Sequence, residues 1–291
     1  MPRKTYAVTG ATGHVGKAAA ERLKTQGHEV RLVSRSAGVS LEDVAALTRA
    51  FSGVDGVFLM IPPDFKAPDL RKRQNEFGEK LAEAARAAKV RRVVFLSSIN
   101  GHLEDGTGPI LGLHDMEERL NALGIIELVH LRPTFFMENH LQGAGLIAQA
   151  GIFGAAFRPD LPCPMIATAD IGAKAAELLV EEPFRQPRTR ELLGPRGYTM
   201  TEVAQTLGAA IGKPDLKYAQ FPYEDARKAM IGNGMSASYA DALIELSRNF
   251  NEGKVWGAEK RSAQNTTPTT IERFAQEVFR PAYEGMAAGV P

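Results

Sequence analysis

Cysteine is nearly absent: Cys163 stands alone among 291 residues, so neither an intramolecular disulfide nor a thiolate zinc cluster can form. Within Leu161-Pro162-Cys163-Pro164 it reads as a small buried side chain rather than a nucleophile. An excess of either charge is missing too. The 35 Lys and Arg offset 34 Asp and Glu, and a net charge of +1 offers no basic face for nucleic acid. No apolar run approaches the ~20 residues that span a bilayer, and the N-terminus lacks a signal-peptide core. A reduced, cytoplasmic setting with no membrane partner is the expectation. The six histidines fall into no H-x-x-x-H spacing, so no metal site is expected. None of the six tyrosines, at 6, 198, 218, 223, 239 and 283, is followed by Lys four residues on.

What is present starts at the N-terminus. Tyr6-Ala7-Val8 is a short apolar run, and Gly10, Gly13 and Gly16 follow as G-x-x-G-x-x-G. Val15, Ala19 and Leu23 then recur at helical spacing until Gly27. Strand, glycine turn and helix in this order form a phosphate cradle. Gly10 permits the tight turn, Gly13 lets backbone approach a pyrophosphate, and Gly16 lets the helix pack closely on the sheet. The helix N-terminus presents unpaired N–H groups to the anion. Gly10, Ala11, Thr12, Gly13, His14, Val15 and Gly16 are therefore candidate cofactor-binding residues. Glu29–Val33 reads as the second strand, ending in Ser34-Arg35. At that strand end an acidic residue would bind a ribose 2′-hydroxyl, whereas Arg accommodates a 2′-phosphate. Ser34 and Arg35 thus favour NADPH, with NAD as the alternative cofactor.

Beyond Ser36 the chain is short. A helix over 41–51, capped by Ser40, follows almost at once, and a parallel strand pair needs a crossover of about a dozen residues or more. The third strand is therefore expected to be shortened or missing. The alternation then resumes, with strands at 57–61, 92–96 and 127–131 and helices at 69–89 and 114–123. This predicts an α/β, doubly wound (Rossmann), mostly parallel sheet over 1–150, with 168–194 returning to it. Residues 151–291 are expected to form a smaller, mainly helical lobe. Pro159, Pro162 and Pro164 mark a loop at its start, and Thr199 with Glu202 has capping-box spacing.

Thr9-Gly10-Ala11-Thr12-Gly13-His14-Val15-Gly16 resembles the opening of atypical short-chain dehydrogenases/reductases. Val94-Phe95-Leu96-Ser97-Ser98 and Leu131-Arg132-Pro133-Thr134-Phe135-Phe136-Met137-Glu138-Asn139 resemble, more narrowly, the NmrA-like branch. The resemblance runs through essentially the whole chain. It implies an NAD(P)-binding domain, a small C-terminal lobe and a cleft between them. It also implies either reduction of quinones, azo dyes and related acceptors, or a non-catalytic redox sensor acting through a regulatory protein partner. The chain departs from the family between Ser36 and Leu41, where a helix, a third strand and an acidic residue near the adenine are expected.

Short-chain reductases usually exchange a proton through Tyr-x-x-x-Lys, which this chain lacks. In its place stands His114-Asp115-Met116-Glu117-Glu118, in which His114 and Glu118 share a helical face at i, i+4. His114 and Glu118 are the candidate proton-handling pair, and the resemblance implies the same spacing. Ser97 is the third catalytic candidate and also a cofactor contact, because it ends a central strand where open α/β sheets bind ligands. Ile61, Pro62, Pro133 and Phe135 are cofactor candidates by the same location, and Phe136, Met137, Phe153 and Phe157 could line an apolar pocket. The expected partner is a small-molecule substrate such as a quinone or azo compound, bound by a monomer or homodimer.

Overall fold

The computed structural model describes residues 2–255 and 259–287. In chain order, the N-terminal half contains β1 (Thr5–Thr9), α1 (His14–Thr25), β2 (Glu29–Val33), α2 (Val44–Phe51), β3 (Gly56–Leu59), α3 (Leu70–Ala87), β4 (Arg92–Leu96), α4 (Leu111–Ala122) and β5 (Glu127–Pro133). There follow β6 (Phe135–Phe136), α5 (Ala144–Ala150), β7 (Phe153–Ala155), β8 (Cys163–Ile166), α6 (Thr168–Val180) and β9 (Arg188–Leu192). The remainder comprises β10 (Gly197–Tyr198), α7 (Met200–Ala210), β11 (Tyr218–Gln220), α8 (Tyr223–Gly232), α9 (Ala237–Asn251), α10 (Ile271–Phe274) and α11 (Arg280–Ala287).

The main sheet is six-stranded, in the order β2-β1-β3-β4-β5-β9, and every pairing in it is parallel. Alternation along the strands sorts the apolar side chains into two layers. Tyr6, Val8, Phe58, Val94, Val129 and Leu131 point to the face covered by α1 and α6. Ala7, Val57, Leu59, Val93, Phe95 and Leu128 point to the face covered by α2, α3 and α4. The doubly wound Rossmann architecture expected from the sequence is the one observed.

Between β2 and α2 the chain forms only a 3-10 turn, Arg35–Ala37, and no strand, so β2 is the sheet edge. The third strand is missing rather than shortened. Helix α2 starts three residues later than expected. Asp43 caps it, its Oδ1 accepting from the Ala46 N–H at 2.9 Å, while Ser40 accepts from the Glu42 N–H in a local turn. Arg31 on β2 donates to the carbonyls of Ala50 and Ser52 at the far end of α2, satisfying acceptors that the helix leaves free.

The C-terminal residues have a separate core, which includes Met137, Ile147, Met165, Tyr198, Leu207, Phe274 and Phe279. The second core therefore begins ahead of residue 150. Two small sheets, β10-β8-β6 and β11-β7, are set among its helices. The proline-marked segment is thus part strand, because β8 pairs with β6 and β10. The Thr199–Glu202 capping box forms at the start of α7. Helix α9 joins the lobes. Ser236, its N-cap, donates its N–H to the Phe65 carbonyl at 2.8 Å, and the Ser238 hydroxyl accepts from the Leu70 N–H at 3.0 Å. Asn249 donates to the Gly106 carbonyl at 2.6 Å. The loops after β3 and β4 are both pinned by this helix. Among the described residues no helix is long and apolar enough to cross a membrane.

Candidate functional site

The carboxyl ends of the parallel strands form one continuous ledge. Because β2, β1, β3, β4 and β5 are neighbours in that order, Ser34-Arg35, Gly10, Ile61-Pro62, Ser97 and Pro133 succeed one another along it. With strands ~4.8 Å apart, the distance from β2 to β4 is about 14 Å, a span suited to an extended dinucleotide.

The glycine turn sits at the reversal point of the sheet, with β2 on one side of β1 and β3 on the other. Gly10 has φ +62°, which disfavours any side chain, and an added Cβ would also lie 2.9 Å from Met60 Cγ. A Cβ on Gly16 would lie 2.7 Å from the Gly10 carbonyl carbon and 2.9 Å from the Thr9 oxygen, so only glycine lets α1 approach this closely. Thr9 locks the same corner, its hydroxyl donating to the Phe58 carbonyl and accepting from the Met60 N–H at 2.8 Å. In front of Gly13 the space is open apart from the Gly10 oxygen at 3.4 Å, and no side chain caps α1. Thr12, Gly13 and His14 are exposed, whereas Ala11, Val15 and Gly16 are buried beneath them. These residues fit a pyrophosphate: free N–H groups, a positive helix end and no Cβ in the way. Ser34 caps the 3-10 turn and bonds Ser36, whereas the Arg35 side chain is exposed and makes no ion pair or hydrogen bond among the described residues.

At the β4 end the structure redistributes the acid–base candidates. Helix α4 packs on the sheet through Leu113, Met116 and Leu120, and that register turns Glu117 inward and leaves Glu118 exposed. Glu117 is 3 % exposed. It accepts from Ser97 Oγ and from Arg132 on β5, at 2.9 Å from Nε and 2.5 Å from Nη2. Ser97, Glu117 and Arg132 thus form a buried chain across β4, α4 and β5. Gly101 closes on it so tightly that a Cβ there would lie 2.7 Å from Ser97 Oγ and 2.8 Å from the Glu117 carboxylate.

His114 and Glu118 form no ion pair among the described residues. Instead His114 Nδ1 lies 3.0 Å from the Gly101 carbonyl, which can only accept, so Nδ1 is the donor in this contact. His114 and Glu118 share the helical face that looks toward the sheet edge at β9. There, with His102, Asn121, His130 and Arg188, they bound a polar cavity of about 260 Å³. His130 donates or accepts through Nε2 to Asn121 at 2.9 Å, and burial pushes its pKa below the ordinary histidine value.

Sequence reasoning missed Glu117 and Arg132 as site residues. Leu113, Met116 and Leu120 already placed Glu117 on the apolar face, and an arginine in a buried strand calls for a counter-charge nearby. It also missed Asn100, which is 3 % exposed, has φ +64° and leaves its Oδ1 without a partner among the described residues just beyond the β4 end. Of the apolar candidates, Met137 and Phe153 are buried in the C-terminal core. Phe135 and Phe157 are partly buried and meet edge to face at 5.8 Å. Phe136 packs against the core beneath α1 and α6. The Cys163 thiol is buried, which raises its pKa and leaves it inert. No group of three His, Cys, Asp or Glu suited to a metal ion occurs among the described residues.

A sequence model described as the NmrA-like family matches residues 2–275. The chain is 32% identical over 258 residues to the (4-alkanoyl-5-oxo-2,5-dihydrofuran-3-yl)methyl phosphate reductase of Streptomyces griseus, covering 84% of this chain and 87% of that protein. It is 29% identical over 256 residues to an NAD(P)H azoreductase of Xenophilus azovorans, covering 82% and 85%. Among solved structures, an NADPH-dependent quinone oxidoreductase of Escherichia coli complexed with NADPH superimposes with a TM-score of 0.76 at 23% identity, covering 94% of this chain and 99% of that one.

Proposed function

The chain belongs to the NmrA-like family, and from that membership we propose that it is an NADPH-dependent reductase of a small, conjugated acceptor such as a quinone or azo compound. The observation that carries the reading is the pairing of an open anion cradle with a ledge that has no tyrosine–lysine pair. Gly10 to Gly16 would hold the pyrophosphate, and Arg35 the 2′-phosphate. Ile61, Pro62, Ser97, Pro133 and Phe135 would line the nicotinamide half.

When bound, the reduced nicotinamide supplies the hydride. The chain's own part is binding, orientation and proton delivery. Glu117, charge-paired with Arg132, accepts from Ser97 and so fixes the orientation of the Ser97 hydroxyl at the end of β4. No Tyr-x-x-x-Lys pair occurs to protonate a forming alkoxide, which disfavours ketone–alcohol exchange. An acceptor that becomes a stabilised anion requires less, and its proton comes from water or from His114, with Glu118 beside it on the same helical face. Support comes from the chemistry in the relatives' names. An alkanoyl-substituted 5-oxo-dihydrofuran ring and an azo bond are both conjugated electron sinks.

The test is NADPH oxidation by purified protein across a panel of quinones, azo dyes and unsaturated lactones. Turnover with at least one class is expected. NADPH binding at micromolar concentration without oxidation above the uncatalysed rate would replace the enzyme with a redox sensor that signals through a protein partner.

A further inference from the structure

Resting on the cofactor reading above, we propose that this protein recognises its dinucleotide through the phosphates and nicotinamide alone and is indifferent to the purine base. With the pyrophosphate at α1 and the ribose at the end of β2, the base falls beyond Arg35, where an open sheet of this kind usually carries a third strand. Here β2 is the edge, and residues 34–43 pass directly into α2.

Among the described residues, every polar side chain of that segment except Arg35 already makes at least one hydrogen bond within the protein. Ser34 and Ser36 bond each other at 3.0 Å, and Ser34 also caps the Ala37 N–H. Ser40 accepts from the Glu42 N–H, and Asp43 accepts from the Ala46 N–H. Glu42, the acidic group nearest in sequence to the position that could read an exocyclic amine, is bound by Arg73 at 2.5 Å and by Lys80. The hydrogen bonds from Lys80 and Arg73 also hold the Glu42 carboxyl below its ordinary range. On the opposite wall Asp64 bonds Arg73 at 3.3 Å, and Pro62 and Pro63 have no N–H to offer. Val39 and Leu41 pack onto the core beneath α2 and α3 instead of forming a slot. Among the described residues Arg35 is the one polar side chain of the segment that makes no hydrogen bond or ion pair, and a guanidinium pairs with phosphate or stacks on any base without distinguishing one purine from another.

Replacing adenine by hypoxanthine inverts the hydrogen-bonding edge: the amino donor becomes a carbonyl acceptor, and N1 gains a proton. A site that reads adenine through buried partners would lose at least about tenfold in affinity for the hypoxanthine analogue. The experiment is calorimetric titration of the full-length protein with NADPH, with nicotinamide hypoxanthine dinucleotide phosphate in its reduced form, and with NADH. The expected result is NADPH and the hypoxanthine analogue within about threefold of each other, and NADH weaker than both. Tight NADPH binding with a tenfold or greater loss for the analogue overturns the proposal and leaves the cofactor reading intact. Failure of NADPH itself to bind overturns both.

Discussion

Replacing Glu117 by Gln removes one charge from the middle of the Ser97–Glu117–Arg132 chain while keeping its shape. The pair is well shielded, with side-chain exposures of 4% for Glu117 and 12% for Arg132. Glutamine retains one acceptor oxygen, able to serve Ser97 and the Arg132 Nε. Its amide nitrogen, however, faces the Arg132 Nη2 that now sits 2.5 Å from a carboxylate oxygen, donor against donor. Removing one partner of a buried pair costs about 3–5 kcal/mol, and the surviving acceptor brings the expectation to the lower end, about 3 kcal/mol. At roughly 2 °C per kcal/mol for a chain of this length, the melting temperature should fall by about 6 °C. The control is Glu118→Gln one residue away. Glu118 is exposed, so its substitution should stay within about 0.5 kcal/mol. Thermal unfolding of the ligand-free proteins, followed by circular dichroism, reads both. Equal shifts, or a larger one for Glu118→Gln, would refute the α4 register on which the buried chain depends.

Three further outcomes are expected. Gly16→Ala places a Cβ 2.9 Å from the Thr9 oxygen, pushes α1 off the turn, and should weaken NADPH binding about tenfold or more in a calorimetric titration; unchanged affinity would remove the close approach from the argument. Arg35→Ala should cost NADPH about tenfold while leaving NADH nearly unchanged, because one charge-assisted phosphate contact is worth about 1.5–3 kcal/mol; equal losses would sink the 2′-phosphate assignment. The third concerns pH. His140 is buried between Phe135 and Phe153 beside Met165 Sδ, and burial depresses its pKa from 6.5 to about 4. The unfolded chain therefore takes up a proton below about pH 6.5 that the native protein refuses until about pH 4. Stability should be full above that window and decline by up to ~1.4 kcal/mol per pH unit within it. His130, depressed by burial as well, adds in the same direction. Urea titrations between pH 7 and pH 4 should show a shallower decline in His140→Phe, and an identical slope would count against the buried neutral imidazole.

Much of this protein is legible in local sequence, for a physical reason. The glycine turn proposed to cradle phosphate is a local object. A strand, a tight turn and a helix start occupy consecutive residues, and Gly10, Gly13 and Gly16 mark where backbone must bend or approach without a Cβ. Chain length alone also showed that a full helix and third strand do not fit between Val33 and α2, leaving the third strand shortened or missing, and the structure shows that none forms. What tertiary structure decided is which side chains meet at the strand ends. Ser97, Glu117 and Arg132 come from three elements, and only the packing of Leu113, Met116 and Leu120 against the sheet turns Glu117 rather than Glu118 inward. One residue along a helix is a rotation of about 100°, so a pair chosen by i, i+4 spacing alone lands on the neighbouring face. His114 and Glu118 line the polar cavity at the β9 edge, which Glu117 and Arg132 also border, but only Glu117 bonds Ser97. The short strands β6, β8 and β10 were hidden for a related reason: each is only two to four residues long and is stabilised by pairing with a distant segment. Local chemistry therefore determined the glycine turn proposed to hold an anion; the long-range packing of α4 determined which acid meets Ser97.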